Sequence, residues 1–193
     1  MVTYFNDERV YQWLRSTPSP YVSTENAERS LKQAKQRQDG WLTQLEAARA
    51  EPTLKIVDFC PVGSIREVQE DGTEVFIGDI KIGLAQHPWE LKGTESLEQA
   101  APRRDPSEPD IWTFGNYLAP SHHGRGIMSD VIQTIMRNWA IPRMGVQRMV
   151  VTAFEGNVGS VRVLEKNGFR FRETIVDALE VRGTMRGVHV VEW

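Results

Sequence analysis

The stretch Asn157-Val158-Gly159-Ser160-Val161-Arg162-Val163-Leu164-Glu165-Lys166-Asn167-Gly168-Phe169 reads as a short helix from Val158 to Asn167. It is stopped by Asn167-Gly168, a pair suited to the left-handed residue that follows many last turns. On one side, Val146 to Phe154 reads as a strand with an apolar run, Met149 to Thr152. On the other, Phe169 to Val176 and Met185 to Val191 read as further strands. Farther upstream, Ile111 to Leu118 is aromatic-rich and strand-like. Gly124-Arg125-Gly126 then leads into a helix with Ile127, Val131, Ile135 and Trp139 on one stripe, ending near Pro142. The order strand, helix, strand, helix, strand implies an α/β domain with a mixed sheet.

The N-terminal part is less sharply patterned. Asp7 can cap a short helix running through Ser16, ended by Pro18 and Pro20. Ser23 or Thr24 can open a second helix, which Asp39-Gly40 is expected to interrupt before Trp41, Leu45 and Ala48 continue its stripe to Pro52. Leu54 to Cys60 reads as a strand, and Asp71-Gly72 as a hairpin turn into a strand from Val75 to Ala85. Pro88 to Pro109, with four prolines and no periodicity, is expected to be a loop insertion. It can cover a binding site or simply decorate the surface.

The chain has 193 residues, 40% hydrophobic and 25% charged, suited to one globular domain spanning 1–193. No run approaches the ~20 apolar residues of a membrane-spanning helix, and the N-terminus lacks the layout of a secretory signal. A single cysteine, Cys60, cannot form an internal disulfide, so a reducing, cytoplasmic location is expected. No Cys/His metal spacing occurs, and no metal is expected. The net charge of −3 argues against a nucleic-acid binder. Its distribution is uneven: Ala119 to Arg172 holds eight basic and three acidic residues, a net of +5 against −8 elsewhere. That asymmetry points to an anionic ligand on the C-terminal half, although ordinary solvated helix faces would produce it too.

The strand–Ser121-His122-His123-Gly124-Arg125-Gly126-Ile127-Met128–helix junction is the place for such a ligand. A helix N-terminus presents unpaired N–H groups and partial positive charge. Glycines there let an anion approach the backbone, and Arg125 adds a cation. A plain strand-to-helix turn would use the same glycines. The third glycine of a dinucleotide fingerprint and the Gly-Lys-Ser/Thr ending of a P-loop are both missing.

About thirty residues downstream, the Asn157–Phe169 segment resembles the signature of the GNAT superfamily of acyl-CoA-dependent N-acetyltransferases. In particular it is similar to the RimJ/RimL-like branch, whose helix reads Asn-x-x-Ser-x-Arg-Val-x-Glu-Lys-x-Gly-Phe. Leu118-Ala119-Pro120 followed by Gly124-Arg125-Gly126-Ile127 resembles that branch's pyrophosphate loop. Asn6-Asp7, Pro20-Tyr21 and the following helix are similar more loosely. The resemblance implies a central mixed, mostly antiparallel twisted sheet flanked by helices, with acetyl-CoA in a V-shaped split between central strands. It implies transfer of an acetyl group to a primary amine, either a protein N-terminus or a small molecule, by direct attack in a ternary complex. The partners are then acetyl-CoA and an amine, with no nucleic acid and no membrane, in a monomer or homodimer.

Carried over by position, backbone groups of Asn116, Tyr117 and Leu118 would pair with the pantetheine arm. Amides of His123, Gly124, Arg125, Gly126, Ile127 and Met128 would hold the pyrophosphate, Asn157 would bind pantetheine or the leaving end of the cofactor, and Lys166 would lie near the nucleotide moiety. Many relatives protonate the leaving thiolate with a tyrosine at the position of Leu164; Ser160 is the substitute expected here. Ser160 can equally serve as a helix N-terminal hydrogen-bonding residue. The branch often carries an acid where this chain has Thr113, which leaves Asp79, Asp110 or a water relay to accept the amine proton. Either aspartate can instead pair with an arginine. Trp41, Trp89, Trp112, Phe114 and Tyr117 are candidates for an acceptor pocket or for core, and His122 and His123 for a phosphate contact or for exposed turn. The departures at Leu164 and Thr113 motivate an alternative, a non-catalytic acyl-CoA-binding or regulatory module on the same fold.

Overall fold

The computed structural model describes residues 2–15, 21, 25–49, 56–86 and 109–193. Three helices come first: α1 (Val2–Phe5), α2 (Glu8–Tyr11) and α3 (Glu25–Ala48). Asp7 caps α2, its carboxylate accepting the Arg9 N–H at 3.0 Å. This helix ends at Tyr11, earlier than the expected Ser16; the prolines, Ser23, Thr24, Pro52 and most of the expected 88–109 loop lie outside the described residues. Asp39-Gly40 does not interrupt α3, which runs through both residues. A helical glycine costs only about 1 kcal/mol, and that is too little to break a helix anchored by Trp41 stacked on Phe59 at 5.1 Å.

Among the described residues six strands form one sheet, β1 (Ser64–Val68), β2 (Glu74–Leu84), β3 (Ile111–Leu118), β4 (Arg148–Phe154), β5 (Arg170–Val181) and β6 (Thr184–Glu192), in the order β1-β2-β3-β4-β6-β5. All neighbours are antiparallel except β3 and β4. The expected strand at Leu54–Cys60 is not found in its described part, Ile56–Cys60, and the first strand starts at Ser64. Val57, Phe59 and Cys60 are buried all the same. Their backbone bonds go to helices: Val57 N–H donates to Arg143 O at 2.8 Å, and Trp139 Nε1–H donates to Phe59 O at 2.8 Å. A short apolar run specifies burial, not the partner that satisfies its backbone.

The Asp71-Gly72 turn joins β1 to β2 as expected, with the Asp71 carboxylate accepting from Thr73 N–H and Oγ1–H. β5 runs past the expected Val176 to Val181, crossing an irregularity between Ile175 and Leu179 where Asp177 has φ 47°. It turns into β6 through Arg182-Gly183, both at positive φ, a two-residue hairpin loop of the kind whose twist matches antiparallel strands.

The crossover from β3 to β4 runs through α4 (Ile127–Ile135), a π turn (Met136–Ala140) and α5 (Ile141–Met144). Pro142 does not end it. It sits at the start of α5, where the preceding wide turn has already broken the hydrogen-bond register and a missing N–H costs little. The last helix, α6 (Val158–Lys166), links β4 to β5. Ile132, Met149, Val150, Val190 and Val191 are completely buried at the centre.

Candidate active site

β3 and β4 pair only at Ile111–Arg148 and Trp112–Met149, then diverge. Each is held on its outer side: β3 by β2 from Leu84–Trp112 to Gly78–Leu118, β4 by β6 from Val150–Glu192 to Phe154–Val188. Hydrogen-bond parity tells which backbone groups face the opening. Ala85 N–H donates to Ile111 O and Ala119 N–H to Ile77 O, so alternate residues Ile111, Thr113, Gly115, Tyr117 and Ala119 belong to the β2 ladder. Phe114 and Asn116 therefore turn their N–H and C=O into the split. Leu118 does too, but its carbonyl is engaged by His123 Nε2 at 2.9 Å. Of the expected trio, Asn116 and Leu118 lie on the split edge and Tyr117 on the β2 edge. Across the gap, Met149 bonds Trp193 and Glu155 N–H donates to Gly187 O, which leaves Thr152 facing inward.

The split opens at the carboxyl ends of the two parallel strands, and each strand leads there into a helix N-terminus. After β3, a 3-10 turn (Pro120–His122) brings the chain to Gly124 and Gly126, at φ 74° and 82°. A Cβ at either glycine would meet nothing within 4 Å, so this left-handed cradle is open as well as glycine-dependent. Gly126 is the cap of α4, whose first N–H groups have no partner earlier in the helix. Arg125 does not stand alone beside the cradle: its Nη2 lies 3.3 Å from Glu67 Oε1 on β1. His122 Nε2 lies 3.2 Å from Glu67 Oε2, and its Nδ1 lies 2.9 Å from Ser121 Oγ. The His122, Gln69 and Arg125 contacts hold the Glu67 carboxyl below its ordinary range.

After β4, Asn157 caps α6, its Oδ1 accepting the Ser160 N–H at 3.1 Å. Ser160 is half-buried, and the capping bond uses its backbone, not its hydroxyl. Leu164, one turn on and so on the same helix face, is 3% exposed and packs in the main core. The same core receives Phe114, edge-on to Phe169 at 5.8 Å. Lys166 is exposed at the far end of α6, about 13 Å along the axis from Asn157. Asp79 and Asp110 are also separated. Asp79 pairs with Tyr117 near the open end, whereas Asp110 precedes β3 at the closed end, about 23 Å away along the strand.

Residues 1–170 match the family described as an acetyltransferase (GNAT) domain. This chain belongs to the GNAT acetyltransferase family. The ribosomal-protein-S5-alanine acetyltransferase of Vibrio fischeri superposes over all of this chain and 84% of its own, with a TM-score of 0.57 and 15% identity; the shared mixed sheet is thereby that of the family. A RimL ribosomal L7/L12 α-N-protein acetyltransferase in complex with coenzyme A aligns over 61% of this chain and 55% of its own, at 21% identity and a TM-score of 0.45. A probable N-acetyltransferase YjcK of Bacillus subtilis (strain 168) is 34% identical over 56 residues. That match spans 29% of this chain and 30% of the relative.

In this GNAT chain, the sheet face opposite the main core is covered at the split by the N-terminal helices. Phe5 packs on Tyr117 at 4.7 Å and on Tyr21 at 4.8 Å, while Tyr4 Oη donates to Phe76 O. On the β4 side, Trp13 joins the cluster of Phe154, Val181 and Val188, and Arg186 lies over both the Trp13 and Phe154 rings. One N-terminal segment therefore spans both halves of the divided sheet. The Tyr117 hydroxyl is buried without a hydrogen-bond partner among the described residues, and burial, with the Asp79 charge nearby, drives its pKa upward. Asp79 itself is 15% exposed and lies 3.9 Å from Lys81 Nζ. Of the expected aromatics, Trp112 and Phe114 are core and Trp41 stacks on Phe59; Trp89 lies outside the described residues. Glu67, Phe5 and Trp13 were not singled out by sequence. Glu67 would have stood out only if Ser64–Val68 had been read as a strand beside the loop.

Proposed function

We propose that this protein transfers an acetyl group from acetyl-CoA to a primary amine, of a protein N-terminus or a small molecule. The observation that carries this reading is the divergence of β3 and β4 onto two helix N-termini. The residues present fit the co-substrate: the inner edge at Phe114 and Asn116 suits an amide-bearing arm, and the open Gly124–Gly126 cradle suits a diphosphate. Acetyl-CoA would supply an acetyl group activated as a thioester. The amine must lose a proton to attack; of Asp79 and Asp110, Asp79 is the one near the open end, and it would take the proton directly or through a water relay. Ser160 Oγ is the hydroxyl that would give up a proton at the mouth of α6. Backbone N–H groups on the inner strand edges would hold developing negative charge on oxygen. Incubating the protein with acetyl-CoA and peptides, polyamines, amino acids or aminoglycosides, while following free thiol, tests the reading. Absence of thiol release across that panel would sink it.

The second reading, a non-catalytic acyl-CoA-binding module, is favoured by Leu164, a buried side chain that puts no hydroxyl at that turn. Tight CoA binding without thiol release would select it.

A further inference from the structure

We propose that Glu67 is a positioning residue that presets the loop between β3 and α4. This rests on the reading that the loop receives the CoA diphosphate. The two carboxylate oxygens of Glu67 hold the two ends of the cradle: Oε2 engages His122 before Gly124, and Oε1 engages Arg125 after it. Gln69 Nε2 adds a third donor at 3.1 Å, fixing the carboxylate on its own strand. His122 is only 11% exposed in its side chain, and with Nδ1 accepting from Ser121 its Nε2–H points at Glu67. The loop backbone on its own is thinly supported: two glycines at positive φ, and local bonds from His122 and His123 to Ala119 and Pro120. His123 Nε2 also ties it to the Leu118 carbonyl of its own strand, but its placement against β1 comes from side chains 55 and 58 residues away in sequence.

The role is geometric, not a matter of attraction. A carboxylate beside a diphosphate repels it, so a Glu67 that acted by charge alone would weaken cofactor binding, and its removal would tighten it. A Glu67 that holds the cradle open in its receiving shape has the opposite effect, because an unanchored loop must be ordered at the moment of binding.

The experiment compares acetyl-CoA with acetylpantetheine, which lacks the diphosphate, in Glu67→Ala and Glu67→Gln. Expected is a fall of about tenfold in the ratio of kcat/KM for acetyl-CoA to that for acetylpantetheine in Glu67→Ala. The fall should sit in KM for acetyl-CoA, and Glu67→Gln, which keeps one acceptor, should recover part of it. CoA affinity by calorimetry should fall in parallel, and this arm needs no acceptor. An unchanged ratio, a tightened CoA affinity, or equal losses with both donors would overturn the proposal. Gly126→Ala separates the two levels. If it leaves CoA affinity intact, the reading of the loop itself fails; if it weakens CoA while Glu67→Ala does not, only the role of Glu67 fails.

Discussion

Tyr117 shows how much one side chain's surroundings decide. Its hydroxyl is buried, unpaired, and set beside Asp79 across the β2–β3 ladder. A buried hydroxyl without a partner contributes a desolvation cost and no bond, so Tyr117→Phe should be neutral or stabilising by up to about 1 kcal/mol in a denaturant melt at pH 7. The same residue carries a pH dependence. Its folded pKa is raised above its unfolded value near 10, so its contribution is fully present below pH 10 and lost as pH rises through the folded value. The wild type should therefore lose stability above pH 10 more steeply than Tyr117→Phe, and parallel curves would contradict this. Ser160 makes a separate prediction. Its side chain is not the one that caps α6, so Ser160→Ala should leave the melt unchanged. It should lower kcat by about a hundredfold or more with KM for acetyl-CoA little altered, as expected for loss of one proton donor.

At the level of elements, the helix starts matter more than the helix bodies. α6 begins because Asn157 Oδ1 satisfies an N–H that the helix cannot. Asn157→Ala should cost about 1 kcal/mol, read as a lowered midpoint in denaturant at unchanged slope. Sequence reading fared best for elements whose signals are local. β3 runs over Ile111–Leu118, and α6 starts at Val158, because an alternating or capped pattern specifies both. It fared worst where the deciding partner is distant. Ile56–Cys60 carries the apolar content of a strand but is satisfied by Arg143 and Trp139, and Gly40 is tolerated inside α3 because packing outweighs propensity. Asp79 and Asp110 looked interchangeable as carboxylates until strand register put them at opposite ends of the split.

Over the whole molecule, the sheet is divided between β3 and β4. The backbone ladders of two halves, β1-β2-β3 and β4-β6-β5, join through the pairs Ile111–Arg148 and Trp112–Met149, and the N-terminal segment packs on both. Backbone parity makes this testable by hydrogen exchange. The amides of Thr113, Gly115 and Tyr117 should be slow in the ligand-free protein, since the β2 ladder holds them. Those of Phe114 and Asn116 should exchange faster and become protected on adding CoA. Uniform protection along β3 before addition, or none gained after it, would contradict this placement.

By itself the sequence determined the α/β class, most of the strands and helices, the glycine cradle, and the two signatures that mark a GNAT chain. Each depends on residues a few positions apart, where periodicity, capping and backbone tolerance act directly. Only the tertiary structure decided which edge of β3 lies open, that Asp79 and Asp110 lie at opposite ends of the split, and that Glu67 contacts both ends of the cradle. Those are relations between groups tens of residues apart, set by strand register and by which face a helix buries. Local chemistry leaves both undetermined until the chain has folded.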